Sequence, residues 1–275
     1  VDGEARDHLR DDQARAVSFC LQAHEPVADS GQRGEHHAIG DRNAAERPVV
    51  GESSGHRRFM VRIKAMDVGP LLKPWAEIVR AQVPGIELFD VHTHIGQNDP
   101  DGMRQSRQEL LAALEMADAR GAFVFAMHEL DGYSPANDTV LEASGQSHGL
   151  LVPFFRVNPH DGAAAEAERR LEAGARGIKL HPRAEGFTLD HPAVRSLVAI
   201  AHERKLPVPI HAGRGIPALG LHAVELAGDF PDARLILAHA GICDLSWIWR
   251  VAPDLPNLLF DTAWWMPADL FSLFS

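Results

Sequence analysis

Cysteine is almost missing from this sequence: Cys20 and Cys243 are the only two, far apart and in no Cys-x-x-Cys spacing. That excludes a disulfide framework and makes a reducing cytoplasm the expected setting. Long apolar runs are missing too, none approaching the roughly 20 residues needed to cross a bilayer. The N-terminus carries no basic-then-apolar export pattern. Positive charge is in short supply, with 27 Lys and Arg against 38 Asp and Glu and a formal net charge of −11. Such a balance argues against nucleic acid and anionic membrane surfaces as partners. No Gly-x-Gly-x-x-Gly follows the first apolar strand, and Gly213-Arg214-Gly215 has the wrong spacing, so a dinucleotide site loses its main support. The expected partner is a small-molecule substrate, and a homo-oligomer is compatible with all of this.

What is present divides in two. Residues 1–58 hold eight Arg, eleven Asp or Glu and five His, but nine large aliphatic or aromatic residues. So little apolar surface cannot offset the entropy of ordering the chain, and the stretch is expected to be a disordered extension. An artefactual extension is the other reading, with Met60 or Met66 as the alternative start. Residues 59–275 read as one α/β domain, opened by a short amphipathic helix within 67–84.

From residue 88 onward, apolar runs alternate with helical patterns. Strands are expected at 88–95, 122–127, 150–157, 177–181, 207–211, 235–239 and 258–261, with helices between them. Asp161 is the expected N-cap of the helix over 163–171. Apolar strands in strict alternation with helices call for a parallel sheet covered on its faces. The first, fourth, fifth and sixth strands each end in histidine: His94, His181, His211 and His239. In a barrel those ends converge on one mouth, whereas an open sheet strings them along an edge. The barrel is therefore the expected architecture.

Asp90-Val91-His92-Thr93-His94 is the centre of the pattern. Side chains alternate across a strand, so His92 and His94 face the same way and Thr93 the other. Two neutral imidazoles on one face are half of a metal site.

Phe89-Asp90-Val91-His92-Thr93-His94-Ile95-Gly96 resembles the first-strand signature of the amidohydrolase superfamily. The likeness is closest to the metal-dependent hydrolase branch that includes aminocarboxymuconate-semialdehyde decarboxylase, and runs from about Ile86 to the end of the chain. It implies a (β/α)8 TIM barrel with a divalent metal, zinc by donor preference, on His92, His94 and His211. It implies His239, in Leu237-Ala238-His239-Ala240-Gly241, as the catalytic base. Gly177-Ile178-Lys179-Leu180-His181-Pro182 resembles the fourth-strand setting of binuclear members such as dihydroorotases, where a carbamylated lysine bridges two metals. In the mononuclear branch Lys179 and His181, with Arg214, would contact a carboxylated substrate instead.

The resemblance also has a gap. The family's last ligand is a strand-eight aspartate, usually in a Gly-Ser-Asp-x-Pro setting, and none follows up to Ser275. Asp261 ends the seventh strand but has no proline at that spacing. The barrel is thus expected to lack its eighth strand and carboxylate ligand, and to be inactive as written. A metal-dependent hydrolase is the leading reading; a non-oxidative decarboxylase and a non-catalytic barrel are its rivals.

Overall fold

The computed structural model describes residues 80–100, 102–213, 216–244 and 247–265, together with 74, 77 and 78. The extension 1–58 and Arg214 lie outside the described residues, as does most of the helix expected within 67–84. Of that helix, Glu77, Ile78 and residues 80–82 are helical.

The first strand, β1 (Leu88–Ile95), is followed by α1 (Arg107–Met116) and β2 (Ala119–Ala126). Ser106 starts α1 with a capping box: its hydroxyl accepts from the Glu109 amide, while the Glu109 carboxylate accepts from the Ser106 amide. The chain continues through α2 (Ser134–Gly145), β3 (Leu151–Pro153), β4 (Phe155–Arg156) and α3 (Ala163–Glu172). Next come β5 (Ile178–Lys179), the single turn α4 (Pro182–Glu185), α5 (Pro192–Glu203), β6 (Pro207–Ile210) and α6 (Gly220–Asp229). Last are β7 (Arg234–Leu237), a 3₁₀ segment (Ala238–Asp244), α7 (Trp247–Val251) and β8 (Leu258–Phe260).

Every strand pair is parallel and in sequence order. The seven expected strand positions are all present, the third one split into β3 and β4 at Phe154. The Phe154 amide donates to Val124 O on β2, whereas the Phe155 amide donates to Gly177 O beside β5. The chain therefore changes partner within one residue, just after Pro153, which has no N–H to give. Leu180 bridges to Ile210 and joins β5 to β6.

Six steps at the usual strand spacing would put β1 and β8 roughly 30 Å apart in a flat sheet. Instead His92 Nδ1 on β1 lies 2.8 Å from Asp261 Oδ2 just after β8. The sheet is curled, as a barrel wall is, and the ends of its strands face one another.

Between strands and helices lies the main core, where Ile178 and Leu180 at β5, Val208 and Ile210 on β6, and Leu235 and Leu237 on β7 pack on Val194, Leu197, Ala223 and Leu226. Each large aliphatic side chain buried this way contributes about 1.5–3 kcal/mol. One expectation needs correction. The N-cap of α3 is Gly162, with φ 62° and no side-chain cap; Asp161 instead accepts from Asn158 Nδ2 at 2.9 Å. Between the second and third strand positions lies α2, for which the sequence gives no clear helical pattern. Its apolar face is thin, Val140 and Ala143 being buried beside the polar Asn137, so periodicity alone does not reveal it.

At Gly177 the backbone approaches the Phe154 ring so closely that an added Cβ would lie 2.3 Å from a ring carbon. Phe154 also stacks on Phe123, centroids 4.4 Å apart, so it has little room to retreat. Gly177→Ala should therefore lower stability by about 1–3 kcal/mol, read as a shifted denaturant midpoint. An unchanged midpoint would show that this contact is soft.

Candidate active site

The curled sheet brings five imidazoles to one place. His92, His94, His181, His211 and His239 line a cavity of about 30 Å³, closed on one side by Ala263 and Trp264. That is room for about one water molecule or one ion. His92 and His94 share a face as alternation requires, ring centroids 5.3 Å apart. His181 stacks flat on His211 at 3.9 Å, and Trp264 stacks on His239 at 5.2 Å.

His239 reaches the cavity through an unusual backbone. His239, Ala240 and Gly241 all have φ between 50° and 62°, a left-handed turn that costs a non-glycine residue roughly 1–2 kcal/mol. Asp261 holds it in place. Its carbonyl accepts from the Ala240 amide at 2.6 Å and its Oδ1 from the His239 amide at 3.1 Å.

Hydrogen bonds assign a proton to one nitrogen of each ring. Nδ1 of His239 donates to Ala263 O at 2.8 Å, which leaves Nε2 as an acceptor. His211 Nδ1 then donates to that Nε2 at 3.2 Å, which leaves His211 Nε2 as a bare lone pair. This atom is buried and has no partner among the described residues. His94 Nδ1 donates to Ala126 O at 3.3 Å, and His92 Nδ1 to Asp261 Oδ2 at 2.8 Å. His181 differs: its Nδ1 accepts from the Ala184 amide at 3.2 Å, so its proton sits on Nε2. Four rings thus turn acceptor nitrogens inward and one turns a donor.

The electrostatics keep the rings neutral. Burial lowers every one of the five, with neighbouring positive groups adding to it: His211 falls to about 2 and His239 to about 4. Burial alone would raise the Asp261 carboxyl, but the attraction and hydrogen bond of His92 hold it down at about 2. Asp261 is therefore an ionised carboxylate receiving three donors, the third being the Ala263 amide at 3.0 Å. Lys179 is wholly buried, and burial brings its amine down to about 7 despite Asp261. Its Nζ lies 3.4 Å from His92 Nε2 and 4.6 Å from the centre of the Phe125 ring.

The residues expected at the mouth thus fall into groups. His92, His94, His181, His211 and His239 meet in the cavity, while Lys179 sits against His92 without lining it. Arg156, after the third strand, is taken up by Glu185, at 2.8 Å from Nη2 and 3.1 Å from Nε. Asp261 was expected only as a strand-end aspartate, and its bond to His92 joins residues 169 apart in sequence, which no spacing rule reveals.

The donor set suits a divalent cation: neutral imidazoles, one ionised carboxylate beside them and one orphaned lone pair in a cavity of ionic size. At Gly213 an added Cβ would stand 3.0 Å from His211 Nε2 and His239 Cδ2, so the glycine keeps this space open. Among the described residues no three ligand atoms are already spaced as in a formed metal site.

The family model described as amidohydrolase matches residues 89–274. No curated protein sequence matches the chain. Among solved structures, one called amidohydrolase II is 15% identical, with 68% of this chain and 82% of that one covered and a TM-score of 0.53. An uncharacterised TIM-barrel protein from Bordetella bronchiseptica is 17% identical, covering 74% and 73%, with a TM-score of 0.50. A 5-carboxyvanillate decarboxylase from Novosphingobium aromaticivorans, complexed with manganese and 4-hydroxy-3-methoxy-5-nitrobenzoic acid, is 20% identical, covering 54% and 52%, at 0.43. The first two likenesses show the fold alone: the parallel strands and helices are arranged as in TIM-barrel proteins. No helix among the described residues is long and apolar enough to cross a membrane.

Burial of neutral rings makes stability depend on pH. Between the folded values and the unfolded value of about 6.5, the unfolded chain binds more protons than the folded one, so stability falls as pH falls. Asp90, raised to about 7 chiefly by burial, acts in the opposite sense over part of this window, but with one proton against five rings. The melting temperature should drop steadily from pH 6.5 to pH 4. A flat profile there would mean that the rings are solvated and already charged.

Proposed function

The chain belongs to the amidohydrolase family, and from that premise we propose a metal-dependent hydrolase that acts on a small carboxylated molecule. One observation carries the reading: His211 Nε2, a buried lone pair without a partner, in a cavity lined by four further imidazoles. His92, His94 and His211 would hold the ion, and zinc is the assignment that best fits borderline-soft nitrogen donors. A divalent ion there supplies a water of near-neutral pKa and polarises a substrate carbonyl.

The remaining work falls to this chain's own side chains. Asp261 fixes the His92 ring and keeps its proton on Nδ1. His239 can take a proton at Nε2, because its Nδ1–H is already committed to Ala263 O. It does so at the expense of the His211 hydrogen bond, which couples the base to the proposed ligand next to it. His181 presents an Nε2 donor from the same wall, suited to a carboxylate or a developing oxyanion. Trp264 stacks on His239 and narrows the access of bulk water to it. Lys179 acts through His92 and not on substrate directly.

The test is metal analysis of the purified chain together with a hydrolysis screen of lactones, esters and amides of small carboxylic acids. His92→Ala and His211→Ala should each lower metal occupancy. His239→Ala should retain metal and lose turnover at least 100-fold, the usual worth of a positioned base. If His239→Ala strips metal as thoroughly as the other two, His239 is a ligand and the division of roles fails. Carbon dioxide release from an aromatic or muconate-type acid, in place of hydrolysis, would assign the site to decarboxylation.

Asp261→Asn separates positioning from charge. The amide can still approach His92 Nδ1, but it can turn its NH₂ toward the ring and no longer enforces the Nδ1–H form. Metal affinity should fall about 10–100-fold, as it does when a ligand loses its orienting partner. Unchanged affinity in an isothermal titration would remove Asp261 from the account.

A further inference from the structure

The ladder of strand bonds breaks at the third strand position, and one guanidinium spans the break. β1, β2 and β3 form one sheet, while β4 pairs with β5 in another. Arg156 closes β4, and its side chain is 2% exposed. Its Nη1 donates across the break to Ala126 O at the end of β2, at 3.3 Å. The same carbonyl accepts from His94 Nδ1. On the other side, Nη2 and Nε of Arg156 donate to Glu185 Oε1 at 2.8 Å and 3.1 Å. The Arg156 backbone is pinned as well: Asn137 Oδ1 accepts from its amide at 2.9 Å, and Asn137 Nδ2 donates to its carbonyl at 2.8 Å.

Glu185 is the last residue of α4, and His181 is the N-cap of that turn. The flat stack on His211 fixes the plane of the His181 ring. It does not fix which edge turns inward, because a half-turn of the ring keeps the plane. The Ala184 amide decides the edge by donating to His181 Nδ1 at 3.2 Å, which puts the proton on Nε2. Ala184 stands there only while α4 is formed, and a single helical turn has no stability of its own. Glu185 anchors it, since Oε1 receives both Arg156 nitrogens and the Tyr133 hydroxyl. The pair is not arranged for strength. A buried ion pair gains little over apolar side chains of similar volume. A fork-to-fork pair would use both carboxylate oxygens, whereas Glu185 Oε2 is buried and has no partner among the described residues. What three donors on one oxygen do supply is a fixed end for α4.

We propose that Arg156, acting through Glu185 and α4, is the positioning residue that holds His181 as an Nε2–H donor in the imidazole cavity. The guanidinium is suited to this because its planar fork serves two acceptors in fixed directions, here Ala126 O and Glu185 Oε1. The orientation of His181 is thereby tied to the strand end that also holds the His94 proton. The use of the donor on substrate rests on the hydrolase reading; its orientation does not.

The test is the long-range ¹H–¹⁵N spectrum of ¹⁵N-histidine-labelled full chain, recorded without metal or substrate. Wild type should show His181 as a pure Nε2–H ring. In Glu185→Ala its ring nitrogens should move toward values averaged between the two tautomers, while His239, held by Ala263 O, keeps its Nδ1–H pattern. Arg156→Lys keeps the charge but cannot serve Glu185 and Ala126 O together, and should show the same averaging. Should Glu185→Ala fail to fold, Tyr133→Phe removes one donor from Oε1 and should give a smaller shift of the same sign. A His181 pattern unaltered in the folded variants, or a His239 ring loosened as much as His181, would overturn the proposal, since the pair would then be a plain brace of the fold. The kinetic counterpart uses a substrate from the hydrolysis screen. Glu185→Ala should lower turnover about tenfold or more at unchanged metal content, and His181→Ala added to it should lower turnover no further. Additive losses would overturn the coupling. The spectra need no turnover, so failure of the hydrolase reading and failure of the positioning show up in different measurements.

Discussion

Each imidazole in the cavity is governed by what its Nδ1 atom bonds to. Ala126 O, Ala263 O and the Asp261 carboxylate accept three of those protons, and His239 Nε2 accepts a fourth from His211. A histidine free to exchange tautomers offers a lone pair or a donor at random; one held at Nδ1 offers a lone pair at Nε2 every time. The acceptors in turn are backbone carbonyls at strand ends and a carboxylate fixed by backbone amides, so their positions are set by the packed sheet. Core packing, strand curvature and the proton positions of the site form one chain of causes.

That dependence explains features that otherwise look costly. The left-handed turn at His239–Gly241 is strained, yet Asp261 supports it through both its carbonyl and its side chain. The same carboxylate orients His92 across the gap between the first and last described strands. One residue therefore couples the strain at the base to the orientation of a proposed ligand. Lys179 beneath the rings adds to their neutrality, since any charge on its amine opposes protonation of His92 and His211.

Much of this was legible in the residues. Apolar runs in alternation with helices gave the parallel order, and the period of two put His92 and His94 on one face. Histidines at the ends of the later strands located the mouth. What escaped depended on partners distant in sequence or on weak periodicity. Val140 and Ala143 are too sparse an apolar face to announce α2, and Asp161 looked like a cap although Gly162 starts the helix and Asn158 claims the carboxylate. Arg156 pairs with Glu185, which lies 29 residues further on. The orphaned oxygen of Glu185 is a property of packing that no pattern of letters carries.

The account stands or falls on proton positions, which long-range ¹H–¹⁵N correlation spectra of ¹⁵N-histidine-labelled chain report ring by ring. At pH 7 without added metal, His92, His94, His211 and His239 should appear as neutral Nδ1–H tautomers and His181 as the neutral Nε2–H form. Finding His211 protonated at Nε2, or as an imidazolium, would contradict it, because the lone pair on which the proposed chemistry depends would then be absent.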